Sequence, residues 1–317
     1  KCSIKPEVKI VRLLQAKKIW DAAPHNAFTD LVRFQDRWFC VFREGQDHVS
    51  SDGCLRVIVS EDGENWSSAA KIESVDSDLR DAKITVTPYG ELMLCGAEAF
   101  HSPTPYTHQS LAWFSRDGSN WSEKYLIGDK NIWLWRLTWF RSRAYGMGYG
   151  CSETDRMLRL YTTTDGKKFS TVKDFFRGQG YPNETSIVFS DQKAFCLLRR
   201  DGEGETAMIG TSCYPFTEWT WGNLGVWLGG PHLLMISEGR LLAAVRLISG
   251  GSGERRTAIG WIDPKEPSFQ ECLVLPSGGD TSYAGMVLYN GSLNLSYYSS
   301  HEGKTAIYFA QVADVLI

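Results

Sequence analysis

Short apolar runs separated by turn residues recur along the whole chain. Six of them follow a tight turn: DRWFCVFR, YGELMLCG, SRAYGMGY, QKAFCLLR, GRLLAAVR and GSLNLSYY. Their second residues are Arg37, Gly90, Arg143, Lys193, Arg240 and Ser292, spaced 53, 53, 50, 47 and 52 residues apart. An extended run such as FTDLVRF, AKITVT or TSIVFS precedes the turn. A third strand follows the run, as in CLRVIVS, QSLAWFS, MLRLYTT, TAMIGTS and RTAIGWI, and a fourth closes the unit. No stretch shows a convincing helical period, so the chain reads as all-β. A repeat near fifty residues with four short strands is the mark of a β-propeller. The expected architecture is a six-bladed β-propeller of four-stranded antiparallel blades, one domain over residues 1–317. The segment VKIVRLL near the N-terminus is expected to join the last blade and close the ring.

A short phrase repeats within this frame. SEDGENW at 60–66 returns as SRDGSNW at 115–121 and as TTDGKKF at 163–169, with a degenerate SCYPFTEW in the fourth unit. Each follows a third strand. Asp-Gly makes the hairpin turn, Ser and Asp side chains can bond its amides, and the terminal aromatic can tuck beneath it. The phrase is read as scaffold.

Composition narrows the function. A formal charge of −3 gives no electrostatic case for a nucleic-acid partner. No apolar run of eighteen residues is present, so no membrane-spanning helix is expected. The start, KCSIKPEVKI, lacks a signal-peptide pattern, which fits a cytosolic protein or a processed chain. The 12 Trp and 13 Tyr suit a large β core and also sugar-stacking surfaces. Of 8 Cys, Cys40, Cys95 and Cys196 lie inside apolar runs, as small hydrophobes do. Cys-x-x-Cys does not occur, and no metal ligand and no cofactor are assigned.

The candidate chemistry lies where the second strands end and the first strands begin, on the face opposite the turns. Six residues past each turn marker stand Arg43, Gly96, Tyr149, Arg199, Arg246 and Tyr298. Arginines at an equivalent position point to an anion pocket, since the guanidinium fork bonds carboxylate or phosphate bidentately. The alternative is that each pairs with a carboxylate of a neighbouring blade. The first strands open with Asp30, Arg80, Asp81, Arg136, Asn183, Glu184, His232, Asp280 and Tyr283. The loops after the second strands add Glu44, Asp47, His48, Asp52, Glu98, Arg200, Asp201, His301 and Glu302. Carboxylates interleaved with arginines suit acid–base work on a polar, anionic substrate. His301 and Glu302 read equally well as a solvated corner.

The three phrases resemble the Asp-box of the sialidase superfamily, one residue short of its usual form. NETSIVFSDQKAFCLLR is similar to the family's fourth blade, and SYAGMVLYNGSLNLSYY to its sixth. The resemblance implies a glycosidase releasing a terminal sialic acid or related acidic sugar from a glycan. It implies Tyr283 as nucleophile, Glu184 as the base that activates it, and Asp52 or Asp47 as the acid. Arg43, His48, Arg80, Asp81, Glu98, Arg199, His232, Arg246 and Tyr298 would contact substrate. A Tyr nucleophile suits a sugar with a carboxylate on its anomeric carbon, which would repel Asp or Glu. The family's first-blade Arg is absent from AFTDLV, and its third Arg would be Arg255, Arg256 or Arg246. The resemblance also favours a secreted or periplasmic location. Two other readings stay open: a hydrolase or lyase for another acidic sugar, and a non-catalytic sugar-binding propeller, for which Trp133, Trp135 and Trp139 would be the platforms.

Overall fold

Blade 1 shows how the repeat folds. His25–Phe34, Arg37–Gly45, Cys54–Ser60 and Ser67–Ile72 form an antiparallel sheet in chain order. The second strand is buried almost throughout because both its faces meet neighbouring blades, so it reads as a continuous apolar run. The outer strand has only exposed and half-buried positions. The computed structural model describes residues 11–237 and 239–316, and these build six such sheets, blades 2, 4, 5 and 6 having Ser77–Val86, Tyr181–Ser190, Gly229–Ser237 and Thr281–Tyr289 as inner strands.

Ring closure follows the expectation. Arg12–Trp20 pairs antiparallel with Ala306–Ala313 and becomes the outer strand of blade 6. Residues 8–10 of the expected closing segment lie outside the described residues. Blade 3 departs from the pattern, because its inner strand is broken into Ile132–Leu134 and Thr138–Phe140. Both pieces pair with Arg143–Gly150. The break carries Arg136 toward Asp30, whose two carboxylate oxygens lie 3.0 and 2.9 Å from Nη1. Asp30 also accepts the Ile84 amide at 2.9 Å, so this buried pair ties blades 1, 2 and 3 together.

The repeated phrase forms the hairpin between third and fourth strands. Asp62 Oδ1 accepts the amides of Glu64 and Asn65, each at 2.8 Å, and Trp66 Nε1 donates to the Gly63 carbonyl at 3.1 Å. Asp117 and Trp121 repeat these bonds. Backbone hydrogen bonds from Asn65 and Asn120 hold both carboxyls well below the ordinary range. Gly118, at φ +79°, also packs on the preceding blade: a Cβ there would stand 2.1 Å from Phe39 Cε1.

Among the described residues no helix is long and apolar enough to cross a membrane. The described cysteines are all free. Trp135 is buried, Trp133 is buried and stacked on Tyr149, and Trp139 packs in a core cluster, so none is an exposed platform.

Candidate active site

The inner strands of blades 1, 2, 4, 5 and 6 each carry a register shift near the mouth of the ring. A bulge re-aims a side chain. Here it puts Phe28, Asp81, Gly230 and Tyr283 at φ values of 62°, 54°, 56° and 47°. For the three non-glycine residues this left-handed backbone costs about 1–3 kcal/mol each, and such strain collects at functional sites.

Tyr283 and Glu184 form the closest contact at the mouth. The Tyr283 hydroxyl donates to Glu184 Oε1 at 2.5 Å, and the Gly230 amide donates to Oε2 at 2.8 Å. Arg199 Nη1 lies 2.9 Å from the same Oε1 and 3.4 Å from the Tyr283 hydroxyl. Asp201 holds the other edge of Arg199 at 3.0 Å, and the guanidinium lies 5.2 Å from the Trp227 ring centroid. Burial and then the Glu184 charge push the Tyr283 phenol up, while Arg199 and Arg246 pull it down. Burial opposes the Arg199 charge, but Glu184, Tyr283 and Asp201 outweigh it and raise its pKa.

A second chain of contacts runs from blade 5 to blade 1. Arg246 lies 5.1 Å from the Tyr283 ring centroid and donates to the Tyr298 hydroxyl at 2.7 Å. Tyr298 donates to Asp280 Oδ1 at 2.9 Å. Asp280 Oδ2 faces two imidazole nitrogens, His25 Nε2 at 3.0 Å and His48 Nδ1 at 2.7 Å. Burial works against this carboxylate, but hydrogen bonds from His25, His48 and Tyr298 hold its pKa far below the usual range. Arg80 anchors the His48 loop, donating to the His48 carbonyl at 3.0 Å and to Asp78 at 2.8 Å.

Blade 2 supplies a third group of charges. Asp81 is buried, and desolvation raises its pKa against the pull of Lys83 and Arg80. Its carboxylate has no hydrogen-bond partner among the described residues. Lys83 Nζ lies 4.5 Å from the Trp135 ring centroid and 5.7 Å from that of Tyr283. Burial lowers Lys83 to about 8, with Asp81 working the other way. Tyr149 is raised by burial and by the charges of Asp81 and Glu184.

Several sequence candidates are engaged by other groups or are exposed. Arg43 is fully buried and spent on Asp78 at 2.8 Å and on the carbonyls of Asp47 and Ser50, so it organises the loop after its strand. Glu98 is buried against Lys124 and Ser77. His232 lies between blades, its Nδ1 within 3.0 Å of the Ala284 carbonyl and 3.1 Å of the Met286 amide. Asp52 is exposed and accepts the Gln46 amide at 3.1 Å; Asp47 is exposed and accepts the His48 amide at 2.7 Å. Arg256 pairs with Glu271, Arg255 is exposed, and His301 and Glu302 form an exposed corner. Phe28, from the arginine-free stretch AFTDLV, packs 5.2 Å from the Tyr283 ring. Sequence reasoning missed Lys83, Phe28 and Trp227. A lone Lys inside the apolar run AKITV was the available signal for the first.

One trio of ligand-type side chains occurs among the described residues, His25, His48 and Asp280, with ligand atoms within 4.8 Å of one another. Zinc bonds of about 2.0–2.1 Å at tetrahedral angles separate ligand atoms by about 3.3 Å. The spacings of 2.7 and 3.0 Å to one shared oxygen are those of hydrogen bonds instead.

No protein-family model matches the chain, and no curated protein matches it in sequence. Solved structures match it in fold. A protein of unknown function from Dyadobacter fermentans is 17% identical with a TM-score of 0.81, covering 96% of this chain and 99% of its own. The α-L-arabinofuranosidase arb93a of Fusarium graminearum is 14% identical, with a TM-score of 0.70 over 94% of this chain and 97% of its own. The Trypanosoma rangeli sialidase, in complex with sialic acid, is 10% identical with a TM-score of 0.68. The match covers 98% of this chain and 58% of that sialidase. The chain thus has the six-bladed propeller fold on which these glycosidases are built.

Proposed function

We propose that the protein is an exo-acting glycosidase that releases a terminal acidic sugar from a glycan through a Tyr283 nucleophile activated by Glu184. The observation that carries this reading is the 2.5 Å hydrogen bond between the two side chains, with arginines on either side of the phenol. Glu184 takes the phenolic proton as Tyr283 oxygen bonds the anomeric carbon, and the glycosidic C–O pair leaves with the aglycone. Water then attacks the glycosyl-tyrosine and gives up a proton, matching the one the aglycone oxygen acquired on leaving, and Glu184 returns its own proton to the phenolate. Because the phenol is neutral at rest, it can approach a sugar that carries a carboxylate. Arg199, Arg246 and Lys83 make the pocket attractive to that anion and to negative charge developing on Tyr283. The carboxylates on hand, Asp81 above all, favour an enzyme over a sugar-binding propeller.

The apolar Phe28 ring beside Tyr283, in a stretch without arginine, favours a second reading: an exo-glycosidase of a neutral furanose, the substrate class of the Fusarium neighbour. Release of 4-methylumbelliferone from its α-sialoside, its uronides and its α-L-arabinofuranoside tests both. An acidic sugar cleaved by the wild type, with at least a ~100-fold loss in Tyr283→Phe and Glu184→Gln, supports the first reading. Turnover of the arabinofuranoside alone replaces it with the second.

A further inference from the structure

The reaction needs a proton donor for the departing oxygen, and the two aspartates named by sequence are poorly built for it. Asp52 is exposed, and the Ser50 hydroxyl and the Gln46 amide stabilise its ionised form. Asp47 Oδ1 is occupied by the His48 amide. The side chain between them on the same loop is placed differently. A carboxylate accepts hydrogen bonds and cannot donate them, so both nitrogens that meet Asp280 Oδ2 carry protons. His48 therefore holds its proton on Nδ1 when neutral and leaves Nε2 as an acceptor. Nε2 has no partner among the described residues, and the side chain is 46% exposed.

The surroundings hold this pose. Asp280 is braced by Tyr298 and His25, and the His48 backbone by Arg80. The His48 ring packs edge-on against Phe28, 5.0 Å between centroids, and Phe28 packs 5.2 Å from Tyr283. The charged groups facing His48 are Asp280 from blade 6, Arg80 and Asp81 from blade 2, and Asp47 of its own loop, which accepts its amide. His25, from its own blade, completes the cluster.

We infer that His48, oriented through Nδ1 by Asp280, is the general acid–base of the pocket. This rests on the glycosidase reading. Protonated His48 gives its Nε2 proton to the glycosidic oxygen as the C–O bond breaks and Tyr283 oxygen bonds the anomeric carbon. Neutral His48 then takes a proton from the water that attacks the same carbon, which restores the imidazolium. Asp280 is a positioning residue that keeps its charge throughout, as in other carboxylate–imidazole pairs.

Two measurements on the full chain test it. In 15N-imidazole NMR, neutral His48 should show the Nδ1–H tautomer, the minor form of free histidine, and Asp280→Asn should shift it toward Nε2–H. An Nε2–H tautomer in the wild type overturns the inference. So does a shift of both His25 and His48 resonances on chelator treatment, which would mark a metal site. In kinetics, His48→Gln should lose at least ~100-fold on an alkyl glycoside of the accepted sugar and under ~10-fold on the 4-methylumbelliferyl glycoside, whose leaving group needs little protonation. Equal losses on both, or none, overturn the acid role while the glycosidase reading stands. A wild type that cleaves neither substrate defeats the glycosidase reading itself, and the acid role with it.

Discussion

Gly230 lies so close to Tyr283 that a Cβ at position 230 would stand 3.0 Å from the ring carbon Cδ2 and 3.1 Å from the backbone nitrogen. The same glycine donates its amide to Glu184 at 2.8 Å and sits at φ +56°. Gly230→Ala should therefore push the phenol off Glu184 and strain the bulge. The expected result is a loss of ~10–100-fold in kcat with KM little changed, and about 1–3 kcal/mol of stability. Steady-state kinetics and urea unfolding on one preparation check both effects.

The Asp30–Arg136 pair holds the ring from inside. Asp30→Ala leaves a buried guanidinium without its carboxylate and should cost about 3–5 kcal/mol. Adding Arg136→Met should recover most of that loss, because the orphaned charge goes with it. Denaturant midpoints of the single and double variants decide the point. No recovery would mean that Asp30 matters chiefly through the Ile84 amide.

The blade-to-blade packing of the repeated phrase gives a third prediction. Gly118→Ala places a methyl group on Phe39 and forces a side chain into left-handed backbone. A loss of about 2–4 kcal/mol is expected, with catalytic constants unchanged because the phrase lies on the face away from the pocket.

Lys83 makes a prediction about pH. Burial lowers it to about 8 from the ordinary 10.5. Between those values the unfolded chain binds the extra proton, so stability contributed by this group rises with pH. Below about pH 8 the cost of burying the charge is present in full. It is relieved as pH rises toward 10.5. Lys83→Met removes the group, so the melting temperature of wild type relative to this variant should rise between pH 8 and pH 10. A difference that stays flat would mean that Lys83 keeps an ordinary pKa.

The blade plan was legible because each strand is short, apolar and bounded by turn residues at a constant interval. Closure was legible because one unit lacked a strand that the N-terminus could supply. Tyr283 and Glu184 were legible through their positions at the start of inner strands and through resemblance. Arg43 follows the alternative reading, pairing with Asp78 of the next blade, because repeat equivalence fixes where a residue starts, not which way a long side chain bends. Arg43 turns toward Asp78 and a loop whose conformation no periodicity encodes. Lys83 and Phe28 stayed hidden because the bulges that aim this rim of the pocket shift side-chain alternation locally, and no residue pattern marks them.

Covalent trapping tests the Tyr283 nucleophile most directly. An analogue of the accepted acidic sugar with fluoride on its anomeric carbon and a second fluorine on the adjacent carbon should form a glycosyl-enzyme that hydrolyses slowly. Intact mass should rise by one sugar, and peptide mapping should put the addition on Tyr283, with none in Tyr283→Phe. An adduct on Glu184, Asp81 or another carboxylate, or no adduct from a protein that turns over the parent glycoside, would rule Tyr283 out as the nucleophile.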